Sequence, residues 1–353
     1  MTDWSILPSN DSGTILLTGA SGFLGGELLR RVLDQTDRHV VAVVRRPLGI
    51  EHPRLDLLFA DLTDDEPLPV PSQAADITTV IHCAASVSFD LPLDEQREIN
   101  VEGTRRVLEL AAKLPNLERV QHVSTAYVAG MYEGEFTAGD LDKGQSFRNS
   151  YEQSKNEAEQ VVIESGLPFQ IIRPSIVVGD QKTGYTAAFN VLYPPMRAYA
   201  LNKLSVAPGR EEAPVDVVPI DCVADGMLAL LDVAPGKTHI IAACENATTV
   251  GELVDLGAAR FERTRGVVMA RSELDKLIAQ LPGEQRVKAE EAIERASSVL
   301  PYFDVRAEFR DPETKAFLAE RGIVVPKLRD YFDTLMDYAV ENDWGKVATA
   351  AAA

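Results

Sequence analysis

TILLTGASGFLGG, Thr14 to Gly26, is the stretch from which the fold can be read. Three β-prone apolar residues, Ile15 to Leu17, run into a glycine-rich turn. A helical pattern follows at once, with Leu24, Leu28, Leu29, Val32 and Leu33 on one face. A strand, a turn with glycines at 19, 22 and 25, and a helix start make the phosphate-binding corner of a dinucleotide site. Gly19 permits the tight turn, Gly22 lets the backbone approach a pyrophosphate, and Gly25 lets the helix pack closely. The helix N-terminus, with Ser21, Phe23 and Leu24 along the loop, offers unpaired N–H groups and a positive dipole end to the phosphates.

Outward from this corner, Arg38 to Val44 reads as a buried parallel strand, nearly continuous in β-branched residues. It ends at Arg45 and Arg46, where an NAD-selecting chain carries Asp or Glu for the ribose 2′-hydroxyl. Two guanidiniums suit a 2′-phosphate, so the expected cofactor is NADPH; the plainer alternative is a solvated pair of arginines. Leu55–Ala60 is a third strand, ending at Asp61 and Leu62, a clasp for an adenine amine. Thr78–Ala84 is a fourth, after which Ala84 and Ala85 let the backbone pass close to the cofactor. His82 and His122 sit in apolar runs and read as satisfied core residues.

Residues 94–114 form a helix, 120–124 a fifth strand, 131–149 a loop over the site, 150–164 a helix and 169–173 a sixth strand. This alternation predicts a doubly wound α/β fold, a parallel sheet of Rossmann type. Residues 216–220, a helix over 222–231 and a strand over 238–243 are expected to rejoin the sheet. The resulting division is a dinucleotide-binding domain over 1–185 with 213–247, and a smaller, mostly helical substrate lobe over 186–212 and 248–345. Residues 1–13 read as a poorly ordered leader and 346–353 as a flexible, alanine-rich tail.

Composition excludes several classes. The chain is 45% hydrophobic and 25% charged, ordinary for a globular enzyme. No apolar run approaches the roughly 20 residues of a membrane span, and the N-terminus has no signal-peptide pattern, so a cytoplasmic location is expected. The three cysteines, Cys83, Cys222 and Cys244, lack metal-ligand spacing and suit a reducing compartment; no metal site is expected. A net charge of −19 argues against nucleic acid as a partner. The sequence assigns no oligomeric state.

Two Tyr-x-x-x-Lys spacings occur, Tyr151/Lys155 and Tyr199/Lys203, each placing phenol and ammonium on one helix face. Tyr151 follows the fifth strand and its Thr125, begins a helix and precedes another buried strand. That context brings it to the C-terminal edge of the sheet, where open α/β sheets bind ligands. Tyr199, beside Pro194 and Pro195, reads as a packing residue.

Together, Gly19/Gly22/Gly25, Thr125, Tyr151 and Lys155 resemble the extended short-chain dehydrogenase/reductase superfamily. CAASVSF (83–89), NVEGT (100–104), HVSTAYV (122–128), YEQSK (151–155) and RPSIVVGDQKTG (173–184) resemble its fatty acyl-CoA reductase and thioester reductase branch. The likeness covers residues 14–245; the last hundred residues match no pattern of that branch. The resemblance implies that Tyr151 protonates the substrate oxygen as hydride arrives, and that Lys155 holds the nicotinamide ribose and lowers the phenol pKa toward 7. It implies that Thr125 donates a second hydrogen bond, with Ser124 as substitute, and that Pro174, Ile176 and Val177 line the nicotinamide.

The implied substrate is a small molecule: an acyl-CoA thioester, aldehyde or ketone. Lys182, Arg197, Lys203 and Arg210 could hold coenzyme A phosphates or be solvated surface. Aromatic residues between 299 and 344 could line an acyl channel or form the lobe's own core. The alternatives are a ketone or hydroxysteroid dehydrogenase, a sugar-nucleotide epimerase or dehydratase, and a non-catalytic dinucleotide sensor. Ala126-Tyr127, in place of Asp-Glu after the Thr, disfavours dehydration. Retention of both Tyr and Lys disfavours a sensor.

Overall fold

In the computed structural model, which describes residues 13–345, seven parallel strands form one sheet. They are β1 (Thr14–Thr18), β2 (Val40–Val44), β3 (Leu55–Phe59), β4 (Ile77–His82), β5 (Arg119–Val123), β6 (Phe169–Pro174) and β7 (Lys237–Ile241). Their spatial order is β7-β6-β5-β4-β1-β2-β3. The order reverses between β1 and β4, the switch point at which such sheets bind ligands. β1 and β2 are buried along their whole length, which is why they carry no polar alternation. The expected leader and tail lie almost wholly outside the described residues.

Helices cover both faces. α1 (Phe23–Gln35) packs Leu28, Leu29 and Val32 under the sheet, against Val223 and Met227 of a helix from Ile220 to Ala229. The opposite face is covered by α2 (Leu93–Arg97), which passes through a π-turn at Glu98–Glu102 into α3 (Gly103–Ala111), and by α4 (Ser150–Glu164). Val107, Leu108, Leu110 and Val162 fill that side.

Three expectations are corrected. Val217–Pro219 does not rejoin the main sheet; it pairs in parallel with Ile176–Val178 as a separate ribbon. Beyond Pro174, whose nitrogen carries no hydrogen for a ladder, Ser175 N bonds to Ile241 O and Ile176 N bonds to Asp216 O, so the edge splits. Residues 131–149 are not all loop, because Gly134–Thr137 pairs in parallel with Ala307–Arg310. The stretch beyond 248 is also not confined to a lobe. The helix Pro312–Ala319 lies on the sheet: Thr314 Oγ1 meets His239 Nδ1 at 2.7 Å, and Leu318 joins the core beneath β1.

Tyr302, Phe303, Phe309, Tyr331, Phe332 and Leu335 are buried in a second core with Tyr127, Phe136, Tyr193 and Tyr199. These aromatics therefore serve as core residues, in a core shared with residues 126–129, Ile176 and Val178 of the nucleotide-binding part.

Candidate active site

At the glycine corner the backbone is as tight as the sequence requires. Gly19 has φ +76°, and a Cβ there would stand 2.6 Å from Ala84 N and 2.8 Å from the Cys83 carbonyl carbon. The turn is therefore pressed against the end of β4, and Ala84 N donates to Thr18 Oγ1 at 3.2 Å. A Cβ on Gly25 would lie 2.2 Å from Gly19 O, so the third glycine accommodates the turn itself. Gly22 is the N-cap of α1 with no side-chain capping bond, and the first turn carries no acidic residue. Ser21 and Gly22 are exposed, and Phe23 and Leu24 partly so. Uncapped N–H groups facing solvent at a dipole's positive end fit a pyrophosphate.

Arg45 and Arg46 project from the end of β2 and are exposed. Arg45 Nη1 lies 3.7 Å from Asp61 Oδ2 across the ends of β2 and β3. Asp61 also accepts from Thr63 N and Oγ1, at 3.0 and 2.9 Å, and Leu62 O accepts from Arg106 at 2.8 Å. Ala84 and Ala85 line the same edge, partly exposed.

The proposed proton-handling residues meet at the ends of β5 and β6. Thr125 Oγ1 lies 3.5 Å from Pro174 O, bringing 174–177 beside it, and its hydroxyl comes near the Tyr151 phenol. Ser124, the alternative donor, is buried with its hydroxyl unpartnered among the described residues. α4 is fixed by Asn149, whose side chain accepts from Glu152 N at 3.0 Å, and by the buried Arg173–Glu159 ion pair to β6 at 2.7 Å. One turn along, Lys155 Nζ donates to Val123 O at 2.6 Å and lies 3.4 Å from His122 Nε2.

Burial pushes Lys155 down to about 8 and the Tyr151 phenol up to about 12; the nearby Thr125 hydroxyl opposes the latter only in part. The expected lowering of the phenol toward 7 is thus not a property of the chain alone. Lys155 points at the strand carbonyl, and a dry pocket penalises phenolate.

His82 is satisfied on both nitrogens, by Thr18 at 2.7 Å and Thr104 at 3.0 Å, and burial holds it at about 3. His122 departs from expectation: Nε2 faces Lys155 and Nδ1 has no partner among the described residues. Tyr199 is 1% exposed and accepts from Gly266 N at 2.5 Å, the packing role expected of it.

Of the four cations considered for coenzyme A, Arg210 is tied to Asp304 at 2.5 Å and Glu212 at 2.9 Å. Lys182 and Lys203 are exposed, and Arg197 is half-buried. A cavity of about 610 Å³ adjoins Tyr127, edged by Arg210, Asp216, Cys244, Arg306 and Phe309. Its polar rim comes from segments far apart in sequence and gave no local signal.

Residues 70–227 match the profile of the family described as "Male sterility protein". Glycine betaine reductase ATRR of Emericella nidulans is 31% identical over 265 residues, which are 65% of this chain and 21% of that protein. Fatty acyl-CoA reductase 1 of Mus musculus is 30% identical over 275 residues, 61% of this chain and 53% of the relative. Over these residues the chain resembles the extended short-chain dehydrogenase/reductases of the male-sterility type. It spans about half or less of the length of these relatives.

Among solved structures, the terminal R domain of the myxalamid PKS-NRPS pathway superposes with a TM-score of 0.76 at 23% identity, covering 95% of this chain and 92% of that one. MoeE5 in complex with UDP-glucose and NAD gives 0.67 at 21% identity, covering 94% and 99%. These two show the shared fold.

Proposed function

We propose that the protein is an NADPH-dependent reductase of an acyl thioester or a related carbonyl, acting through Thr125, Tyr151 and Lys155. The observation that carries the reading is the approach of the Thr125 hydroxyl to the Tyr151 phenol, with Lys155 one helical turn away at the C-terminal edge of the sheet. The glycine corner would hold the pyrophosphate, Asp61, Leu62, Ala84 and Ala85 the adenosine side, and Pro174, Ile176 and Val177 the nicotinamide. NADPH supplies hydride. Arg45 and Arg46, free of any acidic residue at the ribose position of β2, favour the phosphorylated cofactor.

Thr125 and Tyr151 would each hydrogen-bond the substrate oxygen, and Tyr151 would give up its proton as charge develops there. A raised phenol pKa keeps that proton in place until then. Lys155 would orient the ribose. A thioester would pass through a hemithioacetal to aldehyde, and an aldehyde or ketone to alcohol. A two-part division at 1–185 with 213–247, against 186–212 with 248–345 apart from the helix at 312–319, and a cytoplasmic location belong to the same proposal. Among the described residues no helix is long and apolar enough to cross a membrane.

The relatives' names support thioester and acyl reduction over a sugar nucleotide. The test is NADPH oxidation against an acyl-CoA, the matching aldehyde, a ketone and a nucleotide sugar. Turnover of the acyl-CoA or aldehyde is expected; turnover of the sugar alone overturns the assignment.

A further inference from the structure

The first turn of α4, which carries Tyr151, is held from outside the nucleotide-binding half. Tyr302, from the short 3-10 turn Leu300–Asp304, is 2% exposed and reaches Tyr151 from two sides. On one side its hydroxyl accepts from Asn149 Nδ2 at 3.0 Å and comes near the Glu152 carboxylate. On the other its ring stacks on Phe89, with centroids 5.0 Å apart and planes at 20°; Phe89 in turn lies 5.7 Å from the Tyr151 ring. Tyr127 meets Tyr302 edge-on at 5.0 Å, and the Arg148 guanidinium lies 5.9 Å from its ring centre.

Glu152, the residue after Tyr151, has a fully buried side chain. It accepts from Arg148 N at 3.0 Å and from Arg148 Nη1 at 3.2 Å. A buried carboxylate without donors costs several kcal/mol, so its donors fix where it sits.

We propose, resting on the reading of Tyr151 as proton donor, that Tyr302 and Glu152 are positioning residues. Tyr302 clamps Phe89 and the α4 N-cap around Tyr151, and the buried Glu152, bonded by Arg148, anchors the same turn with its negative charge next in the chain to the proton donor. The charged and titratable groups packed around Glu152 are Arg148, Tyr151, Tyr302 and, across the site, Tyr127. Burial raises the Glu152 carboxyl, and its charge in turn raises the Tyr151 phenol. The segment after 300 therefore takes part in the catalytic geometry.

The test uses the full chain with NADPH and whichever carbonyl it reduces. Tyr302→Phe keeps the stack and loses the hydroxyl; Glu152→Gln keeps the shape and loses the charge. Both are expected to lower kcat about tenfold, the scale of a small misplacement of a reacting group. NADPH affinity, read by fluorescence titration, should stay within about twofold. In Glu152→Gln the alkaline limb of the kcat profile should move to lower pH, which a merely structural role would not produce. Wild-type kcat and an unmoved limb in Glu152→Gln would overturn the inference, as would losses in Tyr302→Phe that follow NADPH affinity. Should Tyr302→Phe fail to fold, Glu152→Gln decides alone. If Tyr151→Phe retains full activity, it is the assignment of the proton donor that has failed.

Discussion

Lys155 directs its ammonium at the Val123 carbonyl oxygen, 2.6 Å away, at the C-terminal end of β5. The strand terminus fixes the cation, and the surrounding dry core makes its charge costly. Lys155 is held at about 8, against an ordinary 10.5.

That cost has a measurable pH dependence. Because the folded-state pKa is lowered, the unfolded chain binds the extra proton between about 8 and 10.5, so this group's contribution to stability rises with pH across that window. Between pH 7 and 9 the wild type should gain about 1 kcal/mol relative to Lys155→Met in urea unfolding. Half-buried Cys83, whose thiol is pushed up to about 12 by desolvation, opposes the trend from about pH 9 upward, so the comparison stops there. A gap that stays constant from pH 7 to 9 would refute the assignment.

Tyr151→Phe should lower turnover by at least about a hundredfold, the usual scale of a general acid, with NADPH binding retained. Tyr199→Phe should leave turnover near wild type. It strands the Gly266 N–H, however, and should cost about 1–3 kcal/mol in stability. A severe catalytic loss at Tyr199 with a mild one at Tyr151 would reverse the choice between the two pairs.

Cofactor preference should rest on Arg45, with Arg46 secondary. The wild type is expected to prefer NADPH in kcat/KM, and Arg45→Ala should shrink the NADPH-to-NADH ratio about tenfold, the loss of one charge-assisted contact. An unchanged ratio would leave Arg45 as a solvated partner of Asp61.

Two glycines of similar backbone conformation separate strain from contact. Gly49 has φ +69° with open space around its would-be Cβ, whereas at Gly19 that atom would collide with β4's end. Gly49→Ala should cost about 1 kcal/mol, the left-handed penalty alone. Gly19→Ala should cost at least twice that and depress NADPH affinity. Equal costs in thermal unfolding would mean the turn can back away from Ala84.

The parts of this molecule legible in its sequence are those encoded locally. Ile15–Leu17 followed by three glycines specifies strand, turn and helix within thirteen residues, and the apolar runs at 40–44 and 77–82 could only be interior strands. Tyr199 was separable from Tyr151 because its surroundings lacked a preceding strand and hydroxyl. What could not be read depends on partners far away in the chain. Gly134–Thr137 is an unremarkable polar stretch until Ala307–Arg310 lies beside it. Glu152 looks like any helix-surface acid until Tyr302 buries it. The phenol's ionisation cannot be read there either, because the spacing of Tyr151 and Lys155 places them on one face but says nothing of the Val123 carbonyl that takes the ammonium.

The parallel pairing of Gly134–Thr137 with Ala307–Arg310 also sets an order of events during synthesis. The sheet through β6 can form on the ribosome as it emerges, with its glycine corner already shaped. The strand Ala307–Arg310 must wait until some 170 further residues have been made, the separation in its register (Gly134 to Ala307). Joining segments so far apart is slow, since the loop between them must be closed before the contact rewards it. A nascent chain would thus be expected to gain affinity for nucleotide well before it gains turnover.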